Sequence, residues 1–198
     1  MHYSRRQIYE ETSTHLGVYC RKMGLTPNTL TALSLVCAGI SGYFFWQRSL
    51  ISGIVFMLLT SLTDMLDGAT ARAGKMGSPF GGILDHVSDR YGEFFILAGI
   101  AISGAVHPAW AIFALFGMLI ASYTRAAAES IGNLPTCAVG WMGRLEKFAL
   151  IMIGALLESL FPAYNFLAYA LIIVGVASVV TSIQRLLFAR KALQDRQG

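Results

Sequence analysis

Long apolar stretches, separated by short polar or Pro- and Gly-containing turns, make up most of the chain. A membrane helix needs about 20 mainly apolar residues to cross the hydrocarbon layer, and six stretches satisfy this requirement. Their approximate limits are 28–46, 51–72, 81–103, 108–131, 145–161 and 165–189. The pattern therefore predicts an all-α integral membrane protein with six transmembrane helices and no second domain.

A polar, amphipathic segment precedes the first span. Residues 3–23 combine cations with scattered apolar side chains, a pattern typical of a helix that lies along the membrane surface. We therefore divide the chain into a cytoplasmic amphipathic helix (1–24), a six-helix domain (25–190) and a cytoplasmic tail (191–198).

The distribution of Lys and Arg predicts the orientation of the chain. The turns around His107 and Pro162 contain neither residue type, whereas nearly all cations other than Arg48 flank the opposite ends of the spans. The positive-inside rule then places both termini in the cytoplasm, which agrees with an even number of spans. We expect a multi-pass protein of the plasma membrane.

Composition excludes several classes of protein. The 198 residues are 55% hydrophobic and 13% charged, against about 25% charged residues in an ordinary soluble domain. The three cysteines have no metal-binding or disulfide-framework spacing. The net charge of +4 is explained by cations that flank the spans, and no basic face carries interleaved aromatic residues, so we expect no nucleic-acid partner.

Acidic residues are concentrated in one part of the chain, where four of the five aspartates lie between positions 64 and 89. At about 100° per residue, the first two share a helix face with Gly68, Ala71 and Arg72, and the last two share a stripe with Gly81. Gly and Pro residues interrupt the helix between these halves. Two antiparallel helices would therefore bring four carboxylates together near the cytoplasmic end of the membrane. The four residues are Asp64, Asp67, Asp85 and Asp89.

Four carboxylates at membrane depth predict a metal site. Insertion of each charged carboxylate into the membrane costs roughly 2.5 to 3.5 kcal/mol of free energy, and together the carboxylates repel one another. Divalent cations remove both difficulties, and an all-oxygen ligand set selects a pair of Mg²⁺ or Mn²⁺ ions over zinc. Metal ions beside Arg72 suit a diphosphate ligand, and one carboxylate can accept a proton from a hydroxyl group. Helix capping or pairing with Lys and Arg is the alternative explanation for the aspartates.

These residues resemble a family signature without a gap. The pattern is Asp64-x2-Asp67-Gly68-x2-Ala71-Arg72-x8-Gly81-x3-Asp85-x3-Asp89, which is similar to that of the CDP-alcohol phosphatidyltransferase family. The resemblance implies transfer of a phosphatidyl-type phosphate from a CDP-linked lipid to an alcohol, with release of CMP, by a protein that is commonly a homodimer in the bilayer. It also implies that Asp64, Asp67 and Asp85 bind the metal ions and that Asp89 both contacts them and acts as general base. Arg72 would bind the diphosphate, and Gly68 would admit the cytosine.

Further nucleotide contacts follow from the same resemblance. The segment Leu25–Thr31 resembles the family's LTPN-type start of the first span, which implies contacts from Asn28 and Thr31. Ser78 stands where family members place Ser or Thr near the nucleotide phosphates. Capping of the first span by Thr26 or Asn28, with a proline in the first turn, is an equally good explanation and is compatible with binding.

Three later arginines bear on the acceptor alcohol. Arg125, Arg144 and Arg185 lie in segments that resemble the SYxKARAE, ERxER and QRL segments of the phosphatidylinositol-phosphate and archaetidylinositol-phosphate synthase branch. The resemblance implies that they bind the phosphate of inositol 1-phosphate, although they also suit membrane-flanking anchors. Ala127, Gly143 and Lys147 depart from the pattern at Arg, Glu and Arg positions, respectively.

Those departures leave alternatives for the function. Glycerol 3-phosphate is a second anionic acceptor, as in a phosphatidylglycerophosphate-type synthase. Serine is a weaker candidate, because it carries no phosphate for the three arginines to bind. The donor lipid can carry diacyl or archaeol chains. A cation channel or transporter would also place acids inside a membrane, but it does not explain why Gly68, Ala71 and Arg72 accompany the aspartates at fixed spacing.

Overall fold

The computed structural model describes residues 16–196, and all regular secondary structure in that range is helical. Helix α1 covers the described residues 16–22. The six long helices are α2 (Pro27–Trp46), α3 (Leu50–Gly74), α4 (Pro79–Ile102), α5 (Pro108–Ser130), α6 (Arg144–Leu160) and α7 (Phe166–Gln194). Each limit lies within two residues of the prediction, except that α7 continues to Gln194 beyond the predicted end at 189. The all-α prediction is thus confirmed for the described residues.

Four of the long helices are long and apolar enough to cross a membrane. They are α2, α3, α5 and α7. Helix α6 has only 17 residues, and α4 interrupts its apolar sequence with four charged residues. These are Asp85, Asp89, Arg90 and Glu93. The structure therefore supports four spans directly, and the six-span arrangement stays a prediction.

Three of the long helices begin with a polar cap followed by proline. The Thr26 hydroxyl accepts a hydrogen bond from the Thr29 backbone N–H at 3.2 Å, and Ser78 accepts one from the Gly81 N–H at 3.0 Å. His107 accepts one from Ala109 in the same way. Proline suits the following position because a backbone N–H there has no partner within the helix, so nothing is lost when proline lacks one. Thr26 therefore caps α2, and Asn28 is not the capping residue.

The chain forms two compact units, and the first combines residues up to Tyr43 with Val55–Ile96. In this unit α2 approaches α4 closely at Gly42, where a Cβ atom would collide with the backbone carbonyl of Phe95. Small residues permit such close contact between membrane helices. Gly17 of α1 packs in the same way against the backbone of Ala69 in α3. Residues 3–15 of the predicted amphipathic helix lie outside the described residues.

The second unit combines Phe44–Ile54 with the chain from Leu97 onward. Helix α7 packs against both α5 and α6, and α5 approaches α7 closely at Gly117, next to the Gly175 carbonyl. This unit also accounts for Arg48, the exception in the charge distribution. Its Nε donates to the Ser103 carbonyl at 2.8 Å, just beyond the end of α4, where a cation stabilises the helix dipole.

Candidate active site

Three aspartates of the signature converge in the first unit. Helix α3 supplies Asp64 and Asp67 and α4 supplies Asp85, and one carboxylate oxygen from each lies within 4.8 Å of the others. Asp67 is buried, and the other two are half-buried. Oxygen ligands at this spacing fit a hard divalent cation, which would also offset the repulsion between the carboxylates. These residues could therefore hold a metal ion, as the sequence predicted.

A threonine from a third helix contacts this cluster. The hydroxyl of Thr31, on α2, lies 2.8 Å from Asp67 Oδ2 and 3.1 Å from the Pro27 carbonyl. A hydroxyl carries a single proton, so it can donate to one of these acceptors at a time. Thr31 was expected to contact the nucleotide, and the structure places its hydroxyl against Asp67, a carboxylate of the cluster. It is thus suited to orient Asp67.

The fourth aspartate, Asp89, has different surroundings. It lies outside the group of three carboxylates, and its Oδ2 is 3.4 Å from Arg90 Nη2. The same nitrogen is 2.9 Å from Glu93 Oε1, on a side chain that is only 1% exposed. Arg90 therefore bridges two carboxylates, and the structure brings together three of the four expected metal ligands while it places the fourth beside a cation.

Arg72 folds back over Gly68 on the same face of α3. Its Nη1 lies 3.2 Å from the position that a Cβ of Gly68 would occupy. Because glycine has no side chain, the guanidinium can lie close to the helix backbone. Gly68, which was predicted to admit the cytosine, therefore lies next to Arg72, which was predicted to bind the diphosphate.

Two helix N-termini meet at a polar corner of the same unit. The Ser78 Oγ and the Asn28 Oδ1 lie 3.1 Å and 3.5 Å from the position that a Cβ of Gly81 would take. Asn28 is in the first turn of α2, and Ser78 caps α4. Helix N-termini favour anions because their backbone N–H groups lack partners and the helix dipole is positive there. The structure therefore brings Asn28, Ser78 and Gly81 together at a place that suits a phosphate.

The three arginines expected to bind the acceptor lie in the second unit, and each has its own partner. Arg125 Nε donates to Glu129 Oε1 at 2.9 Å. Arg185 donates to the carbonyls of Val139 and Ala121. The Arg144 guanidinium carbon lies 5.0 Å from the centre of the Phe148 ring, a cation–π contact. Each arginine is therefore held in a defined orientation.

Two glutamates that were not predicted as site residues, and a lysine that the sequence marked only as a departure from the family pattern, have prominent positions. Glu93 is almost fully buried beside Arg90, Glu129 binds Arg125, and Lys147 is only 6% exposed in the first turn of α6. Spacing gave a signal for the two glutamates, because each lies three or four residues after an arginine and so shares its helix face. For Lys147 the signal was its position in the ERxER-like segment.

The chain is similar to known proteins over most of its length. The chain is 34% identical over 180 residues to the archaetidylinositol phosphate synthase of Pyrococcus horikoshii, over 90% of this chain and 91% of that protein. It is 32% identical over 195 residues to the phosphatidylinositol phosphate synthase of Mycolicibacterium smegmatis, over 91% and 84% of the two chains.

Solved structures of a phosphatidylinositol phosphate synthase are also similar to this chain. The crystal structure of the Mycobacterium tuberculosis phosphatidylinositol phosphate synthase with CDP-DAG bound is similar with a TM-score of 0.78 and 28% identity, over 89% of this chain and 92% of that chain. The same mycobacterial protein in complex with manganese and citrate is also similar with a TM-score of 0.78. Residues 24–184 match the model of the CDP-alcohol phosphatidyltransferase family. With a match over most of its length, this chain belongs to the CDP-alcohol phosphatidyltransferase family.

Proposed function

We propose that this enzyme transfers a phosphatidyl-type phosphate, diacyl or archaeol, from a CDP-linked lipid to inositol 1-phosphate and releases CMP. The convergence of Asp64, Asp67 and Asp85 carries the proposal, because it builds an all-oxygen cation site at the signature positions of the family. The relatives named as inositol phosphate synthases support the choice of acceptor. Family membership also favours an enzyme over the cation channel or transporter considered above.

The aspartates would hold the metal ions. We assign Asp64, Asp67, Asp85 and Asp89 as ligands of a pair of Mg²⁺ or Mn²⁺ ions. The carboxylate cluster supports the first three ligands, and the similar structure in complex with manganese supports a divalent ion. Such ions polarise a phosphoryl group and stabilise a leaving phosphate when they are bound. Thr31 would keep Asp67 oriented through its hydroxyl.

The first unit would also bind the donor. Arg72 can form a forked, charge-assisted hydrogen bond to the diphosphate, and moving away from Gly68 would expose the surface that admits the cytosine. Asn28 and Ser78 stand where two helix N-termini favour the nucleotide phosphates. The similar structure with CDP-DAG bound supports a CDP-linked lipid as the donor.

Asp89 would act as the general base. It accepts the proton of the acceptor hydroxyl while that oxygen forms a bond to the lipid-side phosphorus, and the bond from this phosphorus to CMP breaks with its electron pair on CMP. Because it lies outside the three-carboxylate group, Asp89 is the aspartate of the four that is least committed to the metal ions, so it can also accept a proton. Arg90, paired with the buried Glu93, lies beside Asp89 and would orient its carboxylate.

The second unit would bind the phosphate of the acceptor. Arg125, Arg144 and Arg185 supply guanidinium groups of fixed orientation, which match phosphate oxygens better than lysine does. The arrangement also admits glycerol 3-phosphate, which is anionic as well.

The acceptor is tested by measuring CMP release. Purified enzyme with CDP-lipid and Mg²⁺ is given inositol 1-phosphate, glycerol 3-phosphate or serine in parallel. We expect the highest kcat/KM with inositol 1-phosphate, none above background with serine, and no turnover in excess EDTA. Faster turnover with glycerol 3-phosphate would overturn the acceptor assignment but not the family chemistry.

We further propose that all six long helices span the plasma membrane, with both termini and the site on the cytoplasmic side, and that the enzyme is a homodimer. The four apolar helices support the membrane location, and the cation distribution supports the orientation. Gly- and Ala-rich spans permit the close helix contacts that a dimer in the bilayer needs.

A further inference from the structure

The connection between α5 and α6 has no regular secondary structure, yet it is held at alternate residues. The Cys137 N–H donates to Glu129 Oε1 at 2.8 Å, and the Val139 carbonyl accepts from Arg185 Nε at 2.9 Å. The Trp141 N–H donates to Gln184 Oε1 at 2.9 Å. Side chains of α5 and α7 thus bind three positions of one short stretch, residues 137–141, which we name the tethered segment.

Packing fixes the same stretch against α7. Gly140 has a φ of 144°, a backbone conformation that favours glycine. A Cβ atom at Gly140 would collide with the side chain of Thr181, which is fully buried in α7. The backbone of the tethered segment therefore rests on α7 at Gly140, between the two residues that α7 binds through hydrogen bonds.

The tethers also connect the arginines assigned to the acceptor. Glu129 Oε1 accepts from Arg125 Nε as well as from Cys137, and Arg185 is itself a tether. Arg144 opens α6 three residues after Trp141. All three arginines are therefore joined through one stretch of backbone.

We infer that the tethered segment sets the positions of the acceptor-binding arginines, and that Gln184 is a positioning residue for the acceptor phosphate, acting through Trp141 on Arg144. The inference rests on the proposed function, since it assumes that these arginines bind that phosphate. Gln184 is suited to isolate the effect, because it is neutral and its amide oxygen binds backbone rather than an arginine.

The test is substitution of Gln184 by Leu, which keeps a side chain of similar size but removes the acceptor of the Trp141 N–H. The loss of one neutral hydrogen bond is expected to raise the KM for inositol 1-phosphate by about three- to tenfold, with the KM for CDP-lipid unchanged. Gln184→Glu retains an oxygen acceptor and should bring the KM back toward the wild-type value. Gln194→Leu, at the exposed end of the same helix, is the matched control and should change neither KM.

Cys137 reports independently on whether the segment is docked. It is fully buried, and burial raises the pKa of its thiol, so a maleimide should modify it slowly at neutral pH. In Gln184→Leu, mass spectrometry of the peptide that contains Cys137 should show faster modification than in the wild type and in Gln194→Leu.

Three results would overturn the inference. In Gln184→Leu, the first is an unchanged KM for inositol 1-phosphate although Cys137 reacts faster with maleimide. The second is an unchanged rate of maleimide modification at Cys137. The third is an equal rise of the KM values for inositol 1-phosphate and CDP-lipid. Arg144→Ala separates this inference from the proposed function. A raised acceptor KM in Arg144→Ala together with an unchanged one in Gln184→Leu removes only the role of the tethered segment. Unchanged acceptor KM values in Arg125→Ala, Arg144→Ala and Arg185→Ala remove the proposed acceptor site itself.

Discussion

At the scale of single residues, the signature aspartates differ in what surrounds them. Asp67 is buried and bound by Thr31, whereas Asp89 lies beside Arg90 and outside the carboxylate cluster. Four carboxylates that are equivalent in the sequence pattern therefore have different environments in the fold. A base must stay available for a proton, and a carboxylate outside the cluster meets that condition better than one inside it.

This difference predicts the behaviour of Asp89→Asn. The amide cannot accept the proton, so CMP release should fall by about 10²- to 10⁴-fold, while Asp64, Asp67 and Asp85 remain to hold the metal ions and the nucleotide. CDP affinity, measured by calorimetry in the presence of Mg²⁺, should stay within a few-fold of the wild type. Asp195→Asn, just beyond α7, is the control and should keep full activity. Activity within tenfold of the wild type in Asp89→Asn would show that Asp89 is not the base.

At the scale of helices, close approach depends on where a glycine lies rather than on how many there are. Gly39 and Gly42 are one turn apart on α2, but a Cβ at Gly39 would have no atom within 4 Å, whereas one at Gly42 would collide with Phe95 of α4. Both positions are glycines in the same apolar stretch of the sequence. Only the structure shows which of them faces another helix.

Two alanine substitutions should therefore have opposite effects on stability. Gly39→Ala removes backbone freedom from the unfolded chain without a clash and should stabilise by about 0.5–1 kcal/mol. Gly42→Ala forces α2 away from α4 and should destabilise by about 1–3 kcal/mol. Thermal unfolding in detergent compares the two with the wild type. A higher melting temperature for Gly42→Ala would show that α2 and α4 do not meet at this glycine.

The elements also show what the sequence could and could not predict. Helix limits followed from apolar stretches that end at Pro, Gly and polar turns. The error at α7 arose because Arg190 and Lys191 end the apolar stretch, but residues 190–194 contain neither Pro nor Gly, so the helix continues to Gln194. The aspartate cluster followed from spacing of three and four residues on helices. The bonds of Glu129 and Gln184 to the tethered segment join positions 8 and 43 residues apart, and no periodicity in the sequence records them.

At the scale of the whole molecule, the number of spans decides which residues share a side of the membrane. With six spans, the turn before α5 is outside and the connection after α5 is inside. If only the four strongly apolar helices span, both assignments reverse. Transfer between two polar substrates requires the signature aspartates and the acceptor-binding arginines on one side, which six spans provide and four do not.

Single cysteines distinguish the two arrangements. Ala109→Cys and Ala138→Cys place exposed thiols before and after α5, while the native Cys20, Cys37 and Cys137 are buried and should react slowly. A membrane-impermeant maleimide added to intact cells should label Ala109→Cys at once. It should label Ala138→Cys only after the membrane is permeabilised, and the unsubstituted protein gives the background. The reverse pattern would establish four spans, and it would place Arg125 and Arg144, at the end of α5 and after it, on the opposite side of the membrane from the signature aspartates, which the proposed reaction does not allow.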